Sequence, residues 1–308
     1  MTNVIDVFTH FLPPKYLETL RNLAGKDVLT GRNSWMNNIL LTNIEERLGH
    51  INQHSKEIIS NVSLFPEMYL SGKEQILSLY KKANLELSEI VSLHSDRFLG
   101  CVANIPLNDV DGALEIINEQ VNQNDVIVGI QIYTPIDNEN KQYLEINLDK
   151  VFEKMNEIGK PIWLHPIFNT DRLDNNITFS WEYELTLMMQ SIIDKQYFNK
   201  YPDLKIIVHH AGAMVPYFAE RIRYIQGENK LKSFQNFYVD TALLGNTQAI
   251  ELAISFFGIS HVLFGTDAPL GILPFGPTDT IIKTINETRL SPSDKRKIFV
   301  DNWFTKIF

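Results

Sequence analysis

The sequence predicts a (β/α)8 barrel built as one domain over residues 1–308. Three observations carry this expectation: short apolar, β-branched runs recur down the chain, most are followed by a longer segment with helical spacing, and no break in composition marks a linker. Strand followed by helix, repeated, requires parallel pairing, and runs such as KIIV and HVLFG are apolar on both faces, as strands buried between two layers must be. Eight such units in a chain of this length suit a closed barrel better than an open doubly wound sheet.

In chain order the expected strands are Val4–Phe8, Glu57–Leu64, Phe98–Asn104, Ile127–Tyr133, Pro161–Leu164, Lys205–His209, Asn236–Asp240 and His261–Gly265. The helical segments between them include Ile44–His54, Glu74–His94, Val110–Asn122, Leu144–Ile158, Trp181–Asn199, Val215–Gln226 and Thr247–Phe257. Two polar, turn-rich stretches, Gly25–Asn38 and Phe168–Phe179, interrupt the alternation after strands. In a barrel the loops after strands build the active face, so these stretches are candidate substrate contacts, with plain surface insertion as the alternative.

Composition narrows the function. With 28 Lys and Arg against 37 Asp and Glu, the net charge of −9 repels a phosphate backbone and leaves no basic stripe for nucleic acid. A single cysteine, Cys101, excludes an internal disulfide, Cys-rich zinc folds and C-x-x-C redox chemistry, and fits a reducing, cytoplasmic setting. No apolar run approaches the roughly 18 residues that span a bilayer, so neither membrane insertion nor a membrane partner is expected. Phosphate-binding glycine loops and a G-x-S-x-G nucleophile elbow are also absent from the sequence.

Eight histidines remain as candidates for chemistry. His94 and His261 precede strands, on the end of a barrel that serves stability, and His50 and His54 lie on a charge-rich helical segment. His10, His165, His210 and Asp267 differ, since each falls just past a strand, on the catalytic rim. Neutral imidazoles and a carboxylate are the ligands of a borderline metal such as zinc, and three protein ligands leave a position open for water or substrate. Trp181, Glu182 and Glu184 open a helix near that rim; acidic residues there complement the helix dipole, and Trp181 either packs or roofs a substrate ring. Asp240, ending the seventh strand, either orients a ligand histidine or caps local backbone.

The stretches IDVFTHFLPPKYL, KPIWLHP, DLKIIVHHAGAMVPYFAERI, FYVDTAL and HVLFGTDAPLG, in this order, resemble the amidohydrolase superfamily. The resemblance is to the branch that contains aminocarboxymuconate-semialdehyde decarboxylase and related aromatic-acid decarboxylases, and it extends from Val4 to about Trp303. It implies a barrel, a single divalent ion with zinc first and manganese as the alternative, and a small-molecule substrate. It is also compatible with a homodimer. It implies that His10, His165 and Asp267 hold the metal, that Asp267 is also catalytic, and that His210 is the catalytic histidine before Gly212 and Ala213. His209 is set aside on strand alternation and its register with Gly212.

One departure matters. Where the family has the first histidine of H-x-H, this chain reads Phe8-Thr9-His10. By alternation Asp6, Phe8 and His10 share a face, so Phe8 is expected where the missing imidazole would stand. The site would then hold one ion through His10, His165 and Asp267, or bind it weakly, or have lost it. Three functions follow: non-oxidative decarboxylation of a small unsaturated or aromatic acid; metal-dependent hydrolysis of a lactone, ester or amide; or a metal-free, non-catalytic binding barrel.

Overall fold

A computed structural model describes residues 3–24, 31–51, 54–62, 66–68, 70–134, 148–167 and 176–308. Seven strands, β1 (Val4–His10), β2 (Ser55–Ser60), β3 (Phe98–Asn104), β4 (Ile127–Tyr133), β5 (Ile162–His165), β6 (Ile206–Val208) and β7 (Tyr238–Val239), pair in chain order, every pair parallel. The helices Lys73–Leu93, Asp149–Ile158, Ser180–Asp194, Ala219–Gln226 and Thr247–Phe257 follow β2, β4, β5, β6 and β7, as the spacing predicts. Both polar stretches lie in part outside the described residues.

The expected eighth strand, His261–Gly265, forms no regular ladder. Its segment instead bridges β7 at Val239–Val262 and β1 at Thr9–Ala268. Leu263 N–H donates to the Val239 carbonyl, Val7 N–H to that of Phe264, and Asp267 N–H to that of Phe8. The segment thus takes the eighth place and closes the barrel. Phe264 gives its own N–H to Ile298, and Asp267 adopts φ 69°, so the backbone departs from extended geometry just where Asp267 is presented.

Inside the barrel, Val7, Ile58, Val102, Val128, Trp163, Ile207 and Leu263 pack against Trp303 and Ile307. A larger cluster joins Ile59, Cys101, Ile130, Leu164 and Val208 to Tyr80, Ile116, Phe152 and Met188 of the surrounding helices. This is the two-layer burial that the doubly apolar runs require. Burial raises the Cys101 thiol far above its ordinary range, so it is an inert core group.

β1 carries an irregularity that alternation could not reveal. Asp6 pairs with Glu57 and Thr9 with Ile59, so three steps on β1 oppose two on β2. Such a bulge turns the side chains beyond it onto new faces. Val7 packs within the interior, yet the Phe8 ring also turns inward, 4.8 Å from that of His10. Asp6 does not share their face. Its carboxylate accepts Phe8 N–H at 3.2 Å, Thr266 N–H at 3.1 Å and the Thr266 hydroxyl. Burial, reinforced by the nearby Glu57 charge, holds its pKa well above the carboxylate range.

Candidate active site

The strand ends bring four histidines and Asp267 together around Phe8. His10 Nε2 lies 3.0 Å from Asp267 Oδ1 and 3.3 Å from His165 Nε2. The far nitrogen of each ring is occupied: His10 Nδ1 contacts Ser60 Oγ at 2.9 Å, and His165 Nδ1 contacts the Pro166 carbonyl oxygen. That carbonyl can only accept, so His165 Nδ1 carries the proton. Burial, together with neighbouring His10 and His209, holds the His165 pKa well below its ordinary value, so the ring is neutral and Nε2 keeps its lone pair.

His10 Nε2, His165 Nε2 and Asp267 Oδ1 therefore converge, with the His165 lone pair and the Asp267 carboxylate both turned to His10 Nε2. Among the described residues no three His, Cys, Asp or Glu side chains already surround a common ion position. The donors are engaged with one another through the His10–Asp267 and His10–His165 contacts. Their chemistry nevertheless fits a divalent ion: two imidazoles whose remote nitrogens are engaged by Ser60 and by the Pro166 carbonyl, and a carboxylate beside them.

Alternation would turn the two residues after β6 apart, but the rings of both His209 and His210 lie beside Phe8. The strand stops at Val208, and His210 and Ala211 both take φ 55° before Gly212 at φ 78°. A left-handed turn cancels the alternation rule. Gly212 is required there, because a Cβ would lie 2.5 Å from the Phe257 ring. His209 is fully buried; its Nδ1 is 2.7 Å from Asp240 Oδ2, and its Nε2 has no hydrogen-bond partner. Asp240 thus orients a histidine, but that histidine is His209.

His210 faces Glu182, with Nδ1 at 2.7 Å from Oε1. Its ring lies nearly parallel to that of Trp181, centroids 6.3 Å apart. Burial alone would lower the His210 pKa, but the charge and hydrogen bond of Glu182 outweigh it, with help from Asp267 and Asp240, and raise it to about 9. His210 is therefore an imidazolium at neutral pH. Glu182 was legible only as a dipole-complementing residue in a first helical turn; its role depends on the fold bringing the helix after β5 over the turn after β6. Positive φ at His210, Ala211, Ala213 and Asp267, all non-glycine, concentrates backbone strain at this rim, a pattern common at functional sites.

Away from this rim, His50 lies against Phe275 and His261 against Tyr238, with ring centroids 4.6 and 4.7 Å apart.

Residues 72–302 match the amidohydrolase family, and the chain belongs to it. It is 24% identical over 310 residues to the decarboxylase macB of Penicillium terrestre, covering 92% of this chain and 87% of that protein. It is 25% identical over 326 residues to the gamma-resorcylate decarboxylase of Rhizobium sp. strain MTP-10005, covering 97% and 96%. The fold also matches the crystal structure of a dihydroxybenzoic acid decarboxylase from Polaromonas sp. JS666, solved with manganese and the inhibitor 2-nitroresorcinol. There the TM-score is 0.77 and the identity 23%, over 98% of this chain and 96% of that one. Among the described residues no helix is long and apolar enough to cross a membrane.

Proposed function

We propose that this single-domain protein is a metal-dependent, non-oxidative decarboxylase of a small aromatic or unsaturated carboxylic acid. The observation that carries the reading is one rim holding a carboxylate, Asp267, against the imidazole pair His10 and His165, with the His210 imidazolium near enough for Asp267 to help hold its charge. The decarboxylases to which the chain is similar along nearly its whole length support the substrate class.

His10, His165 and Asp267 would hold the ion. Manganese has the precedent of the Polaromonas relative, and the nitrogen-rich donor set equally suits zinc. When bound, the ion supplies positive charge for the substrate carboxylate and a neighbouring oxygen. Asp267 takes a proton from the substrate and delivers it to the carbon that bears the carboxylate; the carbon–carbon bond then breaks, carbon dioxide leaves, and the bonding electron pair returns to the ring. The His210 imidazolium, held by Glu182, stabilises the anionic charge of the substrate during that transfer.

The test is carbon dioxide release from hydroxybenzoates and muconate-type acids by protein replete with manganese or zinc. Release is expected, with a loss on the order of 100-fold or more in Asp267→Asn, the scale of a lost acid–base group. Turnover of lactones without carbon dioxide would replace this reading with hydrolysis.

A further inference from the structure

We propose that His209 supplies the imidazole that Phe8 removes from the H-x-H motif, so that the divalent ion is held from β6 as well as from His10, His165 and Asp267. The inference rests on the metal-dependent reading above and concerns which residues of this chain serve it.

Four observations lead there. The first is an unpaired donor: His209 is fully buried, and its Nε2 has no hydrogen-bond partner. A buried nitrogen without a partner is costly, and a position needed only for packing would be better filled by an apolar ring. The second is the far side of the same ring. Nδ1 is 2.7 Å from Asp240 Oδ2, and Asp240, also fully buried, is itself fixed by the backbone N–H groups of Ala211 and Ala242. A carboxylate that accepts the Nδ1 proton leaves the Nε2 lone pair free, which is how a ligating histidine is oriented. The third is position. The His209 ring lies flat against Phe8, centroids 3.4 Å apart and planes within 16°, so it sits against the side chain that replaced the missing ligand. Its centroid is 5.2 Å from that of His165, against 5.1 Å between His10 and His165. The fourth is the contrast with its neighbour, since His210 is turned to Glu182 and Trp181.

Phe8 then has a function of its own. Its ring, stacked on His209, holds that side chain from its open face while Asp240 holds its edge.

The experiment is titration of metal-stripped protein with Mn(II) alone, free ion being read by electron paramagnetic resonance, with metal content by elemental mass spectrometry and the visible spectrum of the Co(II)-loaded protein as further readouts. Wild type, His165→Gln, His209→Gln, His210→Gln and the double variant Phe8→His/His209→Ala are compared. His209→Gln is expected to weaken Mn(II) binding at least as much as the roughly 10- to 100-fold typical of losing a residue that orients a ligand, and to alter the Co(II) spectrum. His210→Gln should leave affinity within about twofold, below the smallest of those losses. The double variant returns an imidazole to β1 and should recover most of the affinity, which also decides the matter if His209→Gln misfolds. Wild-type affinity in His209→Gln, with loss in His165→Gln, overturns the role of His209 and leaves the metal site standing. Failure of the wild type to bind Mn(II) or Zn(II) overturns both.

Discussion

Glu182 Oε1 and His210 Nδ1 stand 2.7 Å apart across the gap between the helix after β5 and the turn after β6. Because the imidazole is raised to about 9 despite burial, its charge depends on that carboxylate. Activity that uses the imidazolium should hold through neutral pH and fall as pH rises through about 9. In Glu182→Gln the carboxylate charge is gone and burial dominates, so the alkaline limb should move to lower pH. A pH–rate profile that is the same in both proteins would remove Glu182 from this role.

Two buried imidazoles should each make the metal-stripped protein less stable in acid. His165 and His209 have folded pKa values held well below 6.5 by burial first and neighbouring imidazoles second. The unfolded chain therefore binds more protons as pH falls, and stability rises with pH up to about the ordinary histidine pKa of 6.5. His210 has the opposite sign: its raised pKa contributes stability in full below about 6.5, and that contribution is lost between there and about 9. Asp6 and Asp240, whose pKa values burial raises, contribute the opposite slope over the same range, so the comparison with His209→Gln carries the test. From pH 7 to pH 5 the urea unfolding midpoint of His209→Gln should rise relative to that of wild type, and parallel profiles in the two proteins would contradict the buried neutral state of His209.

Much of this was legible in the sequence, and the failures have identifiable causes. Phe98–Asn104 and Ile127–Tyr133 are found at their expected bounds, because continuous apolar runs between turn residues leave few alternatives. His10, His165 and Asp267 meet as their position after strands implied. What period-two reasoning missed is local: the β1 bulge separates Asp6 from Phe8, and the left-handed turn at His210 ends the alternation that had excluded His209. Neither a bulge nor a positive φ at a non-glycine residue leaves a mark in a hydropathy pattern. Glu182 lay beyond reach for another reason, since its partner is 28 positions away and only the pairing of β5 with β6 brings them together.

Gly265 is where the closing segment passes closest to the site. A Cβ there would lie 2.7 Å from that of Asp240 and 3.0 Å from that of Phe8, neither of which is the end of a flexible chain. Gly265→Ala should cost about 1–3 kcal/mol, the range for overpacking a filled interior. It should also displace the His209–Asp240 pair, lowering thermal stability and Mn(II) affinity together. Loss of neither would show that the rim has slack the close packing denies.

Beneath the rim, Arg47 reaches the β2 residue Glu57 with Nε at 3.1 Å and Nη2 at 2.7 Å from Oε2, and both side chains are buried. Arg47→Ala strands the Glu57 carboxylate beside that of Asp6, with no counter-charge. Removing one partner of a buried pair costs about 3–5 kcal/mol, far more than the pair itself is worth against apolar replacements. Arg47→Met/Glu57→Leu should therefore recover most of the stability lost in Arg47→Ala, measured by urea unfolding. If the double variant is as unstable as the single one, the pair does more than neutralise itself, and its proximity to Asp6, which anchors Thr266 just before Asp267, becomes the reason to look for the loss in metal binding as well.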